Sequence, residues 1–289
     1  MRIIMLTSIS LKEYIKMKDS LKMTGERVLE DGYRESPVGY CIYLMHLAGY
    51  KFAEPWCKDK EILDFGCGSG YGAMKMARVA GSLVGVDVSE EAVNFARARY
   101  GAENLKFQEI SENRPLPFPD NHFDVVLSSQ VLEHVYRDEM YLSEARRVLK
   151  ENGIFIIITP DRSGRLFPWQ KPWNRWHLRE YSAERLKTLV GRFFRIEHAL
   201  KMGAPWELAN IEYNRYRKLK WLTLPFTLSF MPERWRIAGL NFLHGLNGVT
   251  AGRHKSEPFD PENFPFNEES FGIDVEVENP LNLLVVGRK

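Results

Sequence analysis

Between residues 61 and 200 the chain alternates short apolar runs with segments whose apolar residues recur at helical spacing. The runs are Glu61 to Asp64, Leu83 to Asp87, Leu105 to Glu109, Phe123 to Ser128, Gly153 to Thr159 and Phe194 to Leu200. Such short, uniformly apolar runs suit strands buried on both faces, and strands separated by helices build a parallel sheet. The segment Ser89 to Tyr100 reads as a helix with Ser89 as N-cap and Glu90 and Glu91 in the first turn, where the helix dipole favours negative charge. Met140 to Leu149 places Tyr141, Leu142, Ala145, Val148 and Leu149 near one face, and Asn152-Gly153 then breaks the pattern.

From Gly203 to Pro280 the alternation stops and aromatic and proline residues accumulate, before a last strand at Leu281 to Val286. The expected organisation is N-terminal helices and a lid over residues 1–58, an α/β core over 59–202, an insertion over 203–280, and the final core strand in 281–289.

Composition narrows this picture a little. With 40 basic and 38 acidic side chains the net charge is +2, so nothing calls for nucleic acid as a partner. Cys41, Cys57 and Cys67 are widely spaced without a CxxC pair, which speaks against a disulfide framework or a zinc site and for a reducing, cytoplasmic setting. The first residues lack the apolar run and small-residue cleavage site of a secretory signal. The longest uncharged stretches, 221–232 and 237–252, fall short of the roughly 18 to 20 apolar residues that span a bilayer.

The chemistry is concentrated at the first strand. Ile62-Leu63-Asp64-Phe65-Gly66-Cys67-Gly68-Ser69-Gly70-Tyr71-Gly72 runs from an apolar strand through a glycine-rich turn into a helix, the form in which a backbone approaches a ligand closely. Asp87, 21 residues after Gly66, ends the next strand, where a carboxylate can accept hydrogen bonds from both hydroxyls of a ribose. A dinucleotide turn usually reads GxGxxG. Here the third glycine comes one residue earlier, and Asp64 precedes the turn: its charge repels a pyrophosphate but suits the ammonium of a methionine moiety.

The motifs TGERVLEDG, EILDFGCGSGYGA, VGVDVSEEAV, LPFPDNHFDVVLSSQVLEHV, EARRVLKENGIFIIITP and HLREYS, in this order from about Thr24 to Phe194, resemble class I S-adenosylmethionine-dependent methyltransferases. The nearest likeness is to the small-molecule group often encoded among glycan-biosynthesis genes, of the type 11 kind. The resemblance implies a Rossmann-like, seven-stranded sheet of six parallel strands and an antiparallel last one, with helices on both faces and a large insertion before the last strand. It implies S-adenosylmethionine as cofactor and S-adenosylhomocysteine as product. Asp64, Gly66 and Gly68 would then surround the methionine end, with Cys67 and Gly70 in the same cofactor-binding loop, Asp87 would hold the ribose and Val88 the adenine face. Ser129 and Gln130 would flank the methionine from the fourth strand. Where the family commonly has an Asp before LPF, this chain has Ser111-Glu112, either of which can face adenine. Gly49 replaces an Arg often found before Tyr50, with Arg27 or Arg34 as substitutes.

Methyl transfer from a sulfonium is an in-line displacement, so alignment and desolvation supply much of the acceleration. A base is needed only where the acceptor must lose a proton. His134 and His177 are the candidates, since imidazole takes a hydroxyl proton near neutral pH. Equally, His134 can brace the loop after the fourth strand, and His177 can hydrogen-bond Glu180 to fix its own segment. Ser128-Ser129-Gln130-Val131 lacks the Asn-Pro-Pro-aromatic motif of exocyclic-amino methyltransferases, which leaves a hydroxyl of a sugar, lipid-linked glycan or other small molecule as acceptor. Some relatives bind a divalent metal through Glu-x-x-Glu-His; here Gln130 stands first, and no metal is expected. Phe167, Trp169, Trp173 and Trp176 lie among Lys171, Arg175 and Arg179, a composition that holds sugars or phosphate, or plugs a core. Arg215, Arg217, Lys218 and Lys220 lead into stretches bearing Trp221, Phe226, Phe230, Trp235 and Phe242, which suit a peripheral membrane contact or a buried helix. The rival functions are a non-catalytic cofactor-binding scaffold and a nucleotide-binding oxidoreductase.

Overall fold

The computed structural model describes residues 30–112, 114–251 and 259–289. An eight-stranded sheet runs in the order β3-β2-β1-β4-β5-β8-β6-β7. Its strands are β1 (Glu61–Phe65), β2 (Ser82–Asp87), β3 (Leu105–Glu109), β4 (Phe123–Ser129), β5 (Leu149–Pro160), β6 (Arg195–Gly203), β7 (Gly272–Asp274) and β8 (Pro280–Arg288). Strands β1 to β5 pair in parallel, and β8 lies antiparallel between β5 and β6, so β6 points the same way as β5. The expected six parallel strands and the reversed last strand are therefore present. The sheet is one strand larger than the expected seven because β7, three residues long, adds antiparallel to the edge at β6. A strand that brief has no apolar period to read.

Seven helices matter for the site: α1 (Pro37–Cys57), α2 (Tyr71–Met76), α3 (Glu90–Arg99), α4 (Asp138–Val148), α5 (Ala183–Val190), α6 (Trp206–Leu222) and α7 (Glu233–Ala251). The Ser36 side chain caps α1 by accepting from the Gly39 amide at 3.0 Å, and the Ser89 side chain caps α3 as expected, accepting from the Ala92 amide at 3.3 Å. The expected helix start at Met140 falls earlier, at Asp138. Strand β5 follows α4 at once, at Leu149 rather than Gly153, and accommodates Asn152 at φ 64° beside an irregularity in its pairing with β4.

The period of two along each strand divides the core. Ile62, Val125, Leu127, Ile154 and Ile156 face α1, α2 and α3; Leu63, Val126, Phe155 and Ile157 face α4 and α5. A third cluster joins Leu44, Met45 and Leu47 of α1 to Leu208, Ala209 and Tyr216 of α6 and Leu284 of β8, so the insertion packs on the N-terminal helix. Gly49 lets α1 sit close to the sheet: a Cβ there would stand 2.6 Å from Ile158 Cδ1. An Arg at this position has no room. Arg27 lies outside the described residues, and Arg34 pairs instead with Glu262 at 3.4 Å on the surface.

Candidate functional site

All the predicted site residues outside the stretch between β5 and α5 fall at the carboxyl ends of the parallel strands, the edge where open α/β sheets bind ligands. Strand β1 delivers Asp64 and then the loop 66–70. The Gly66 and Cys67 amides both donate to the Val86 carbonyl, at 2.8 and 2.9 Å, holding the loop against β2. Gly66 has φ 97°, and a Cβ on it would lie 2.4 Å from Val131 Cγ2; there the glycine serves the close passage of the loop after β4. Gly68, with φ 54°, meets nothing within 4 Å, so a side chain there would enter open space beside the loop. Gly70 faces Ala96 of α3 and Phe107 of β3, a packing role. Cys67 is buried, and burial beside Asp64 holds its thiol well above the usual range.

Asp87 is fastened at the tip of β2. Its Oδ1 accepts from the Ser89 amide at 2.9 Å and its Oδ2 from the Gly68 amide at 3.0 Å, which fixes the carboxylate and the loop together. Val88 beside it is 48% exposed, an apolar surface on the rim suited to the face of a base. Ser111 and Glu112 are both exposed beyond β3, and neither is singled out for an adenine amine.

Asp64 is fully buried. Burial pushes its pKa up to about 7, while the Tyr50 hydroxyl of α1, donating to Oδ2 at 3.2 Å, pulls the other way. Among the described residues Oδ1 has no partner. At the end of the adjacent strand β4, Ser129 is half-buried, and Gln130 just beyond it takes φ 57°, its Nε2 buried and without a partner among the described residues. A lone acceptor and a lone donor at neighbouring strand ends fit the ammonium and carboxylate of an amino-acid moiety, and such buried groups are costly to leave unmatched. Tyr50 sits on α1 and was not predicted; no spacing links it to Asp64.

Past Gln130 a short 3-10 turn, Leu132–His134, carries Glu133 and His134. Glu133 is fully buried; Thr159 Oγ1 of β5 donates to its Oε2 at 2.9 Å, and its Oε1 has no partner among the described residues. His134 is half-buried, with Nδ1 3.1 Å from the Trp176 carbonyl. His177, buried, meets it with ring centroids 4.8 Å apart and places its own Nδ1 2.8 Å from Glu180 Oε1. Glu180 also takes a bidentate bond from Arg165, at 2.9 and 3.1 Å. Burial alone would raise the Glu180 carboxyl; the Arg165 charge and the His177 bond outweigh it and hold the pKa at about 2. Arg165 is enclosed by the rings of Trp173 and Tyr216, each 4.6 Å from its guanidinium carbon. No local pattern marks Arg165, 15 residues from its partner, or the role of Glu133.

The aromatic and basic segment after β5 divides. Trp173 joins the core around Arg165, Arg179 pairs with Asp138 at 2.6 Å, and Phe167 stacks on the exposed Trp169. Phe167, Trp206, Tyr213, Arg217, Lys220 and Trp221 line a groove of about 410 Å³ between this segment and α6. Arg215 does not face outward: its Nε binds Glu212 Oε1 at 2.9 Å beside Trp173 and Tyr216. Helix α7 is anchored by Arg236, fully buried, which donates to the carbonyls of Pro172 (2.7 Å), Asn174 and His177 (both 3.2 Å). Among the described residues no helix is long and apolar enough to cross a membrane.

Comparison with known proteins agrees with this geometry. Residues 63–157 match a methyltransferase domain family, the stretch from β1 into β5. A protein of Mycolicibacterium smegmatis named "probable S-adenosylmethionine-dependent methyltransferase" is 33% identical over 174 residues, 60% of this chain and 65% of that protein. A fatty-acid O-methyltransferase of the same organism is 35% identical over 120 residues, 40% of this chain and 42% of its own length. The chain thus matches less than two thirds of the length of either curated relative, at 65% and 42%. In fold it is similar to the crystal structure of an S-adenosylmethionine-dependent methyltransferase from Thermotoga maritima, with TM-score 0.53, 16% identity, and 86% of this chain and 92% of that one covered. Over the stretch from β1 into β5 the chain thus matches a methyltransferase domain family, and it is similar there to proteins named as S-adenosylmethionine-dependent methyltransferases.

Proposed function

We propose that the protein transfers the methyl group of S-adenosylmethionine to a hydroxyl oxygen of an amphiphilic small molecule, a lipid or lipid-linked glycan, and releases S-adenosylhomocysteine. The observation that carries the reading is the shared sheet edge: the cofactor loop fixed by Asp87 stands at the ends of β1 and β2, and His134, beyond β4, lies against the ring of His177 from the segment after β5. The cofactor's carbon would be presented toward the pair, and His134 or His177 would take the acceptor proton as the oxygen attacks. The name of one relative, fatty-acid O-methyltransferase, supports an oxygen acceptor on an apolar chain.

The surface of the insertion favours an amphiphile over a free polar metabolite. Trp221 and Trp235 are each 60% exposed, Phe242 63% and Phe230 78%, while Arg217 and Lys218 are exposed nearby in sequence. Aromatic side chains at an interface with cations toward phosphate groups are the usual composition of a peripheral membrane contact. The test is label transfer: purified protein with S-[methyl-³H]adenosylmethionine and fractionated lipid extract should place label in an organic-soluble product. The same protein should sediment with anionic vesicles at low salt and lose this on changing Arg217 and Lys218 to Glu. Label appearing only in water-soluble products, with no sedimentation, would remove the amphiphile; binding of NADH in place of S-adenosylhomocysteine would remove methyl transfer.

A further inference from the structure

We propose that Glu133, His134 and His177 bind a divalent first-row transition metal. One ligand atom from each of the three side chains lies within 4.8 Å of the others. Two imidazoles and one carboxylate form a donor set that suits zinc, iron(II), cobalt or manganese far better than magnesium or calcium, which prefer all-oxygen shells. In sequence, Gln130 stands where the Glu-x-x-Glu-His pattern needs a carboxylate, which leaves that pattern one ligand short. The fold changes this by bringing in His177 from beyond β5, a third ligand that no motif spacing announces.

Three further observations point to a cation. The first is Glu133 itself: a fully buried carboxylate whose Oε2 is held by Thr159 while Oε1 has no partner among the described residues. A buried carboxylate oxygen left unmatched is expensive, and a cation is the partner that repays it. The second is the orientation of the rings. Nδ1 of His134 faces the Trp176 carbonyl and Nδ1 of His177 faces Glu180, and both oxygens only accept. In the neutral imidazoles the proton therefore sits on Nδ1, and Nε2 is the nitrogen with the lone pair, the tautomer a metal requires. The third is that Glu180 behind His177, itself clamped by Arg165, reproduces the carboxylate–histidine–metal relay that orients metal-bound imidazoles.

Ligands about 2.1 Å from one metal stand roughly 3 to 3.5 Å apart in tetrahedral or adjacent octahedral positions. Closing the set from 4.8 Å to that spacing takes a side-chain movement, and the half-exposed His134 has more room for it than the buried Glu133 and His177. Three protein ligands leave at least one position for the acceptor oxygen, whose proton becomes more acidic on coordination and would leave to water; with the cation bound, neither imidazole has a lone pair left to act as the base. That consequence rests on the methyl-transfer reading; the binding of the cation does not.

The experiment uses untagged full-length protein stripped with a chelator and titrated with Co²⁺, followed by visible absorption and calorimetry. We expect one Co²⁺ per chain with ligand-field bands, Zn²⁺ displacing it and Mg²⁺ failing to. Glu133→Gln and His177→Gln should each weaken Co²⁺ binding by 100-fold or more, and Glu180→Gln by about 10-fold to 100-fold. S-adenosylhomocysteine binding in each variant reports that the cofactor end is still folded. Absence of stoichiometric Co²⁺ uptake by the wild type, or uptake indifferent to both Glu133→Gln and His177→Gln in variants that bind S-adenosylhomocysteine, would overturn the site. Co²⁺ uptake without methyl transfer to any lipid fraction would sustain the site and count against the proposed reaction alone.

Discussion

The Gly68 amide donates to Asp87 Oδ2 at 3.0 Å, so the open point of the cofactor loop is tied to the tip of the next strand. Replacing Asp87 by Ala removes the proposed ribose acceptor and releases the loop at once. Charge-assisted bonds of this kind contribute about 1.5 to 3 kcal/mol. Calorimetry should show S-adenosylhomocysteine binding weakened at least 10-fold to 100-fold. Unchanged affinity would dissociate Asp87 from the ribose.

The two loop glycines should fail in different ways. Gly66→Ala forces a Cβ into Val131 at 2.4 Å with φ 97°, and we expect a loss of thermal stability of roughly 1 to 3 kcal/mol. Gly68→Ala meets no protein atom, so its melting temperature should move much less, while S-adenosylhomocysteine binding falls sharply. Equal stability losses in the two variants would contradict the distinction between a packing glycine and a ligand-facing one.

Cofactor affinity should depend on pH through Asp64. Its pKa of about 7 in the free protein means that a proton must leave before the carboxylate can pair with an ammonium. Affinity for S-adenosylhomocysteine should therefore rise with pH, about tenfold per unit below the midpoint, and level off above it. The same shift makes the free protein lose stability as pH climbs from the ordinary carboxylate value toward 7, since the native state holds the proton longer. Because the Tyr50 bond lowers the Asp64 pKa, Tyr50→Phe should move the midpoint upward, and Asp64→Asn should flatten the profile. A flat wild-type profile from pH 5.5 to 8 would exclude Asp64 as the ammonium partner.

Arg165 and Glu180 are buried together, so removing one leaves the other uncompensated. Arg165→Leu should destabilise by about 3 to 5 kcal/mol, as broken buried pairs do. The double variant Arg165→Leu with Glu180→Leu should recover a large part of that loss in chemical denaturation. A double variant no more stable than Arg165→Leu would show that the pair acts mainly through its ring contacts with Trp173 and Tyr216.

The parts of this fold that sequence makes legible are those with a local signature. Strands β1 to β4 begin and end within a residue of their apolar runs, and Ser89 caps α3 where a serine before two glutamates belongs. The glycine loop and Asp87 are legible because a strand, a turn and a second strand tip recur at fixed spacing. Tyr50 on Asp64, Arg165 on Glu180 and His177 beside Glu133 are contacts across elements, and which of many polar residues meet is decided only by packing. Strand β7 belongs to the same class, since it exists only because the edge of β6 is there to receive it.

The position of β8 bears on the order of assembly. Strand β6 makes no ladder with β5; it pairs with β8 and β7. The segment holding β6 and the insertion therefore has no sheet edge to join until the last strand has inserted beside β5. Closing that long loop is entropically slow compared with zipping up the parallel half, where sequence neighbours meet. The edge bearing the glycine loop can thus form first, with the insertion side completed only when the final strand locks in, so an exposed β5 edge is the species a chaperone or an aggregating neighbour would meet.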